Sequence, residues 1–345
     1  MANVNKQLLA CGMPITEMNI IRKKLEIGKG GGLVGLAYPA TSVTMVLGDV
    51  IGDPLDLIAS GPSVPDTSTW DDAWDLIERY GLDEGGEYEL EPCVIDILNK
   101  RRTKSGEEVS NNDVVDDLPP ADHPMFCTEC PHSDTKAKMS ETVLVGNNAQ
   151  AVYAAAEEAQ RLGYNPIVLG TTIEGEAMHI ANMYISMAEQ AQLQKSTIPT
   201  SKVSTMFPFT KLPAAMIGGG ETTVTLSKGH GKGGRNQEIG LAAALKMQSC
   251  GIRDVVLASV GTDGTDGPTD AAGAVVDGGT VERVEVENGG TILGKDALER
   301  HDAYTFFDSC RSGDNKSTST SATSPLVITG PTGTNVADVC VTLIQ

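Results

Sequence analysis

Glycine constrains this chain more than any other residue. The 345 residues include 38 glycines, which cluster at the ends of short apolar runs instead of scattering through linkers. That is the layout of strand-to-loop junctions, where the backbone must turn tightly or approach another group closely. The runs at 43–47, 142–145, 167–169, 214–217, 255–260 and 326–328 read as strands, short and without strict alternation. Such strands belong in a parallel sheet buried on both faces. Helical segments fall between several of them. Thr16 can cap a helix running to Ile27, Asn147 or Asn148 can cap one running to Leu162, and an alanine-rich helix follows Gly234 and ends near Cys250. The alternation predicts an α/β fold with three-layer, mostly parallel sheets.

A chain of this length predicts two domains. The polar, proline-containing stretch at 195–210 is the best boundary, giving domains at 1–200 and 212–345. The segment 311–324 is nearly all Ser, Thr, Gly, Asp and Lys and reads as a surface insertion without a core of its own. Seven cysteines, an odd number spread from Cys11 to Cys340, fit reduced thiols better than a disulfide framework. His123, Cys127, Cys130 and His132 have ligand types that zinc accepts. Their proline- and charge-rich setting favours an irregular surface loop. No apolar run approaches the ~20 residues that span a bilayer, and the first 25 residues lack the uncharged core of a signal peptide, so the expected location is the cytoplasm. A net charge of -20 disfavours nucleic acid and membrane surfaces as partners. One stretch runs against that balance. Between Thr222 and Gln237 there is no acid, while Lys228, Lys232 and Arg235 fall within eight residues, which suits a small anion.

Six glycine-rich stretches have a composition that phosphate chemistry can use, because glycine lets backbone N–H groups approach oxygens. They are GKGGG at 28–32, GDVIGDPLDLIASGP at 48–62, GGGETT at 218–223, GHGKGGRNQE at 229–238, GTDGTDGPTDAAGA at 261–274 and TGPTGTN at 329–335. Four directly follow an expected strand, and open α/β sheets bind ligands outside the carboxyl ends of strands. Asp49, Asp53 and Asp56 offer hard oxygen for Mg²⁺, which usually shares its shell with substrate phosphates. A turn whose aspartates cap backbone donors is the alternative, and the same choice attends Asp263, Asp266 and Asp270. The acids at 263–270 lack EF-hand spacing. Arg235 opens a helix after GKGG, where a guanidinium can hold a carboxylate bidentately or neutralise a transferring phosphoryl group. No Walker motif, dinucleotide fingerprint, protein-kinase signature or GxSxG elbow is present.

Taken in order, GGLVGLAYPA, GDVIGDPLDLIASGPSVPD, GGETTVTL, GKGGRNQEIGLAAAL, GTDGTDGPTDAAGAVVD and ITGPTGTNVAD resemble the class II glycerate kinases, whose C-terminal part is the MOFRL domain. The resemblance implies ATP- and Mg²⁺-dependent phosphorylation of D-glycerate, on either hydroxyl, by a two-domain α/β enzyme. It implies Arg235 as the catalytic arginine; the glycine-rich stretches themselves offer Asp49 and Asp53 as metal ligands, and Lys29, Ser60, Glu221, Lys232, Asp263 and Asn335 as substrate or phosphate contacts. A homodimer is compatible with it. There are three departures. Family members carry well over a hundred residues before the stretch matching RKKLEIGKGG, including a lysine thought essential for phosphoryl transfer. Gly48 stands where they have serine, and 311–324 looks inserted. The expectation is therefore a chain lacking the N-terminal part of the first domain and weakly active at most. Similar sequences named hydroxypyruvate reductases offer a second reading, which the missing dinucleotide fingerprint opposes.

Overall fold

The computed structural model describes residues 1–83, 85–100, 126, 140–196, 211–310 and 324–345. The cluster His123, Cys127, Cys130 and His132, most of 195–210 and the insertion at 311–323 lie outside the described residues. The chain divides into two compact units, Met1–Val46 with Asp53–Val145, and Leu47–Gly52 with Gly146–Gln345.

The first unit is built on helices α1 (Ala2–Ala10), α2 (Ile15–Leu25), α3 (Gly32–Ala37), α4 (Trp70–Tyr80) and α5 (Pro92–Lys100), with a two-stranded sheet of β1 (Ser42–Leu47) and β2 (Ser140–Gly146). Local chemistry fixes α4 at both ends. Thr69 and Asp72 form a capping box, and Gly81 closes the last turn at φ 58°. Its apolar face, Trp74 with Ile77, packs on Leu8, Met18 and Ile21 of α1 and α2. Beneath α2, Lys24 lies 2.7 Å from Asp66 and Lys23 lies 3.5 Å from both Asp56 and Asp66. Burial raises the Asp66 pKa, but the bonds from Lys24 and Ser68 outweigh it and hold the carboxyl below its ordinary range.

The second unit follows the order α6 (Asn148–Arg161), β3 (Asn165–Ile173), α7 (Ala177–Ser196), β4 (Ala214–Gly220), α8 (Arg235–Cys250), β5 (Val255–Gly261), β6 (Gly273–Asp277), α9 (Thr280–Glu287), α10 (Gly294–Glu299), α11 (Ala303–Asp308), β7 (Leu326–Val327) and β8 (Asp338–Ile344). Its sheet has the order β3-β4-β8-β5-β6-β7 and forms the middle of three layers. On β4, Ala214 and Met216 face the helices α7 and α8, while Ala215 and Ile217 face α6. That strand is buried throughout, as its unbroken AAMIGGG run requires.

The α/β class and the three layers are as expected, but the sheet is mixed and not mostly parallel. Only β3 and β4 pair in parallel among the described strands of this sheet, and β4–β8, β8–β5, β5–β6 and β6–β7 are antiparallel. The expected strands β3, β4, β5 and β7 do run one way. What intervenes is β8 and β6, absent from the sequence reading, which run the other way and separate β4 from β5 and β5 from β7. The compact units also divide near residue 146 instead of near 200. The reason is a β–α–β crossover: β3 pairs with β4 from Asn165↔Ala214 to Val168↔Ile217, so α7 and the polar stretch after it connect two strands of one sheet.

The close layering leaves no room for a side chain at Gly218, where a Cβ would stand 2.1 Å from the Tyr184 hydroxyl and 2.6 Å from Ile173 Cδ1. Gly218→Ala should therefore cost about 1–3 kcal/mol by overpacking. A lowered urea midpoint checks this, and an unchanged one contradicts the packing.

Candidate active site

The register brings the glycine-rich stretches of the second unit to one end of its sheet. Asp338, the first residue of β8, pairs with Gly220 at the end of β4 on one side and with Gly261 at the end of β5 on the other. Asn148, at the start of α6, fastens this strand start by donating to the carbonyls of Val336 (2.8 Å) and Asp338 (2.9 Å).

Arg235 is the first residue of α8, and its guanidinium points into this row. Nε and Nη2 donate to the two carboxylate oxygens of Asp338, the second at 3.0 Å. Nη1 lies 3.0 Å from Glu221 Oε1. Burial works against the arginine's charge, but the Asp338 bond and charge, with Glu221 behind them, more than offset it and raise its pKa above the ordinary value. The fork is thus bidentate on a buried aspartate, the geometry in which Arg and Lys are not interchangeable.

The helix end itself is filled from within the chain. The first amides of α8 are taken by the chain's own Asp266, whose carboxylate accepts from Asn236 N (3.1 Å), Gln237 N (2.8 Å), Asn236 Nδ2 (3.3 Å) and Gln237 Nε2 (3.0 Å). A long-range carboxylate has the place that an N-cap side chain or an external anion would take. The approach depends on Gly234, where a Cβ would lie 2.3 Å from the Asp266 carboxyl carbon. Burial is the strongest influence on Asp266 and pushes its pKa up to about 6, against the pull of the α8 amides and in the same direction as the charge of Asp338.

The loop before α8 is held by the segment before α11. Lys232 N donates to Asp302 Oδ1 (2.8 Å), its carbonyl accepts from Tyr304 N (3.0 Å), and its ammonium sits 4.0 Å from the Tyr304 ring centroid. One turn into α8, buried Glu238 lies 2.9 Å from His301 Nδ1. Burial raises the Glu238 pKa and His301 opposes that rise.

The remaining expected residues separate. Asp49, Asp263 and Asn335 line one open cleft of about 480 Å³ together with Thr265 and Gly333, all in the second unit. Asp263 is partly engaged, accepting from Thr265 N and Oγ1, both at 3.0 Å, and Asn335 accepts from Ala337 N at 2.9 Å. Lys29, Asp53 and Ser60 belong to the first unit. Lys29 lies 3.5 Å from Glu26, and Asp53 takes φ 53°. Ser60 is buried and donates to Asn19 Oδ1 (3.0 Å). Its carbonyl accepts from Gly30 N (3.0 Å), while that of Gly61 accepts from Gly31 N (2.7 Å), so the GKGGG and ASGP loops are stitched to each other. Among the described residues no group of three or more His, Cys, Asp or Glu side chains is placed to hold a metal ion. No described helix is long and apolar enough to cross a membrane. Asp338 and Asn148 did not stand out as functional in the sequence, and Asp266 stood only among alternatives.

The family model described as "Domain of unknown function (DUF4147)" matches residues 1–94, and that of the MOFRL family matches residues 214–338. The D-glycerate 2-kinase of Thermotoga maritima is 34% identical over 340 residues, covering 98% of this chain and 64% of that protein. A protein of Agrobacterium vitis named putative hydroxypyruvate reductase is 34% identical, with 99% and 72% covered. The crystal structure of the Thermotoga maritima glycerate kinase superposes with a TM-score of 0.72 at 33% identity, covering 100% of this chain and 67% of that one. The chain thus spans less than two thirds of the length of the first of these kinases.

The raised Asp266 pKa has a definite sign. Between an unfolded value of about 3.9 and the folded value of about 6, the folded state binds the extra proton, so this group adds stability as pH falls through 6 and loses it as pH rises. Asp266→Asn should flatten that part of the dependence. Denaturant melts of both proteins between pH 4 and 7 measure it, and parallel curves would contradict the assignment.

Proposed function

The chain belongs to the MOFRL family of glycerate kinases, and on that premise we propose that it serves the transfer of the γ-phosphoryl group of ATP to a hydroxyl of D-glycerate. The observation that carries the reading is the arginine of GKGGRNQE, held by a buried aspartate at the end of the sheet where four glycine-rich stretches converge. Phosphoryl transfer is driven mainly by positioning and fixed positive charge. Arg235 supplies both, since Asp338 fixes the plane of its fork while leaving the charge in place. Lys232, exposed three residues earlier, adds a second cation on a loop anchored to Asp302 and Tyr304.

Asp49 and Asp263 fit a divalent metal in the cleft they share with Asn335, because Mg²⁺ takes one or two protein carboxylates and completes its shell with water and phosphate. Bound there, the metal would neutralise phosphate charge. The roles of Lys29, Ser60 and Asp53 are proposed from their glycine-rich loops alone; Ser60 would act through the shape of its loop, since its hydroxyl is committed to Asn19. Nothing in the second unit favours the reductase reading, because the glycines after its strands do not form a dinucleotide fingerprint.

Glycerate-dependent ADP release in the presence of Mg²⁺ tests the function. It should be measured on this chain and on a form extended to the length of its relatives, with activity expected from the extended form. Absence of glycerate-dependent ADP from that form overturns the reading. In the active form, Arg235→Lys keeps the charge but loses the fork, so turnover should fall on the order of a hundredfold while the protein remains folded. Unchanged kinetics would leave Arg235 a structural role only.

A further inference from the structure

Arg235 is held by two carboxylates of very different standing. Asp338 is fixed on β8 between two neighbouring strands, its side chain only 10% exposed, and it takes two guanidinium nitrogens. Glu221 sits just past the end of β4 with a side chain 42% exposed, and takes the remaining nitrogen, Nη1. Withdrawing Asp338 would strand a half-buried cation, whereas withdrawing Glu221 returns a partly exposed carboxylate fully to water at lower cost. The guanidinium keeps its proton in either case.

We propose that Glu221 is a built-in occupant of an anion subsite on Arg235, and that the carboxylate of D-glycerate or a phosphoryl oxygen displaces it on binding. This rests on reading Arg235 as the anion-holding residue. Two further features favour displacement. The sequence from Thr222 to Gln237 carries no acid, so once Glu221 leaves, an arriving anion meets no other carboxylate in that stretch. Thr222, the next residue, is buried with no partner for its hydroxyl among the described residues, and with Gly220 and Asp338 it lines a cavity of about 20 Å³. A turn holding an unsatisfied buried hydroxyl has a hydrogen bond to gain when it rearranges. The occupant lowers the apparent affinity of the subsite by the fraction of time it is present, which sets a threshold against weakly bound anions.

Titration calorimetry of the 345-residue chain with inorganic phosphate, and separately with D-glycerate, tests the proposal at one fixed ionic strength. Glu221→Gln should bind one of the two anions about two- to fivefold more tightly than wild type, and Arg235→Lys should bind that anion more weakly. The anion that gains identifies the group that takes the subsite. Glu221→Ala should show the same gain, and thermal melts verify that each variant is folded. Equal or weaker binding by both Glu221 variants, or no binding by any form, overturns the proposal. If the gain is absent while glycerate-dependent ADP release persists, Glu221 loses this role and the kinase reading stands. If the gain is present without that activity, the anion subsite stands and the kinase reading falls.

Discussion

A buried carboxylate at each side of one helix start organises the second unit. Asp266 accepts the second and third amides of α8, and Asp338 accepts the side chain of its first residue. Both aspartates follow α8 in the sequence, Asp266 just after β5 and Asp338 at the start of β8, so their meeting at the helix start requires the sheet to be complete. Asp338 reaches Arg235 only because β8 inserts between β4 and β5. Asp266 reaches the helix only because the segment after β5 folds back over Gly234. The helix end is therefore a readout of the tertiary fold, not a local motif waiting for a ligand.

The start of α8 is thus filled from within the chain. Helix dipole and free amides do favour negative charge there, but the fold meets that demand internally. What it leaves open is more limited and more selective: one arginine nitrogen facing a partly exposed glutamate, with a lysine on an anchored loop nearby. A chain with 46 acidic residues has many carboxylates available to fill positive sites, and burial decides which of them stay. Asp338 and Asp266 are buried; Glu221 is not.

Much of the fold was legible in the sequence. The strands β3, β4 and β5 were readable because each apolar run ends on glycine, and α8 because Gly234 precedes it and Gly251 closes it at φ 70°. The two strands that escaped, β6 and β8, share a cause. Gly273–Asp277 is five residues opening on glycine, and Asp338–Ile344 begins with a charged residue and alternates buried with partly buried positions, so neither resembles the continuous apolar runs of its neighbours. Missing them made the sheet look parallel and hid Asp338, because an aspartate at the start of an unrecognised strand reads as a loop residue. Arg235, Glu221 and the cleft residues Asp49, Asp263 and Asn335 were legible from glycine-rich motifs. Their partners were not, since Asn148, Asp266 and Asp338 lie between 29 and 190 residues from the groups they hold, and only register places them.

The central claim is that Asp338 holds Arg235 as a unit, distinct from the replaceable contact to Glu221. A double-mutant cycle of Arg235→Gln and Asp338→Asn, read by urea unfolding of the single and double variants, tests it most directly. A coupling of about 1–3 kcal/mol is predicted for a bidentate, largely buried pair. Additivity within about 0.5 kcal/mol would contradict it, leaving the two residues as neighbours that do not depend on each other.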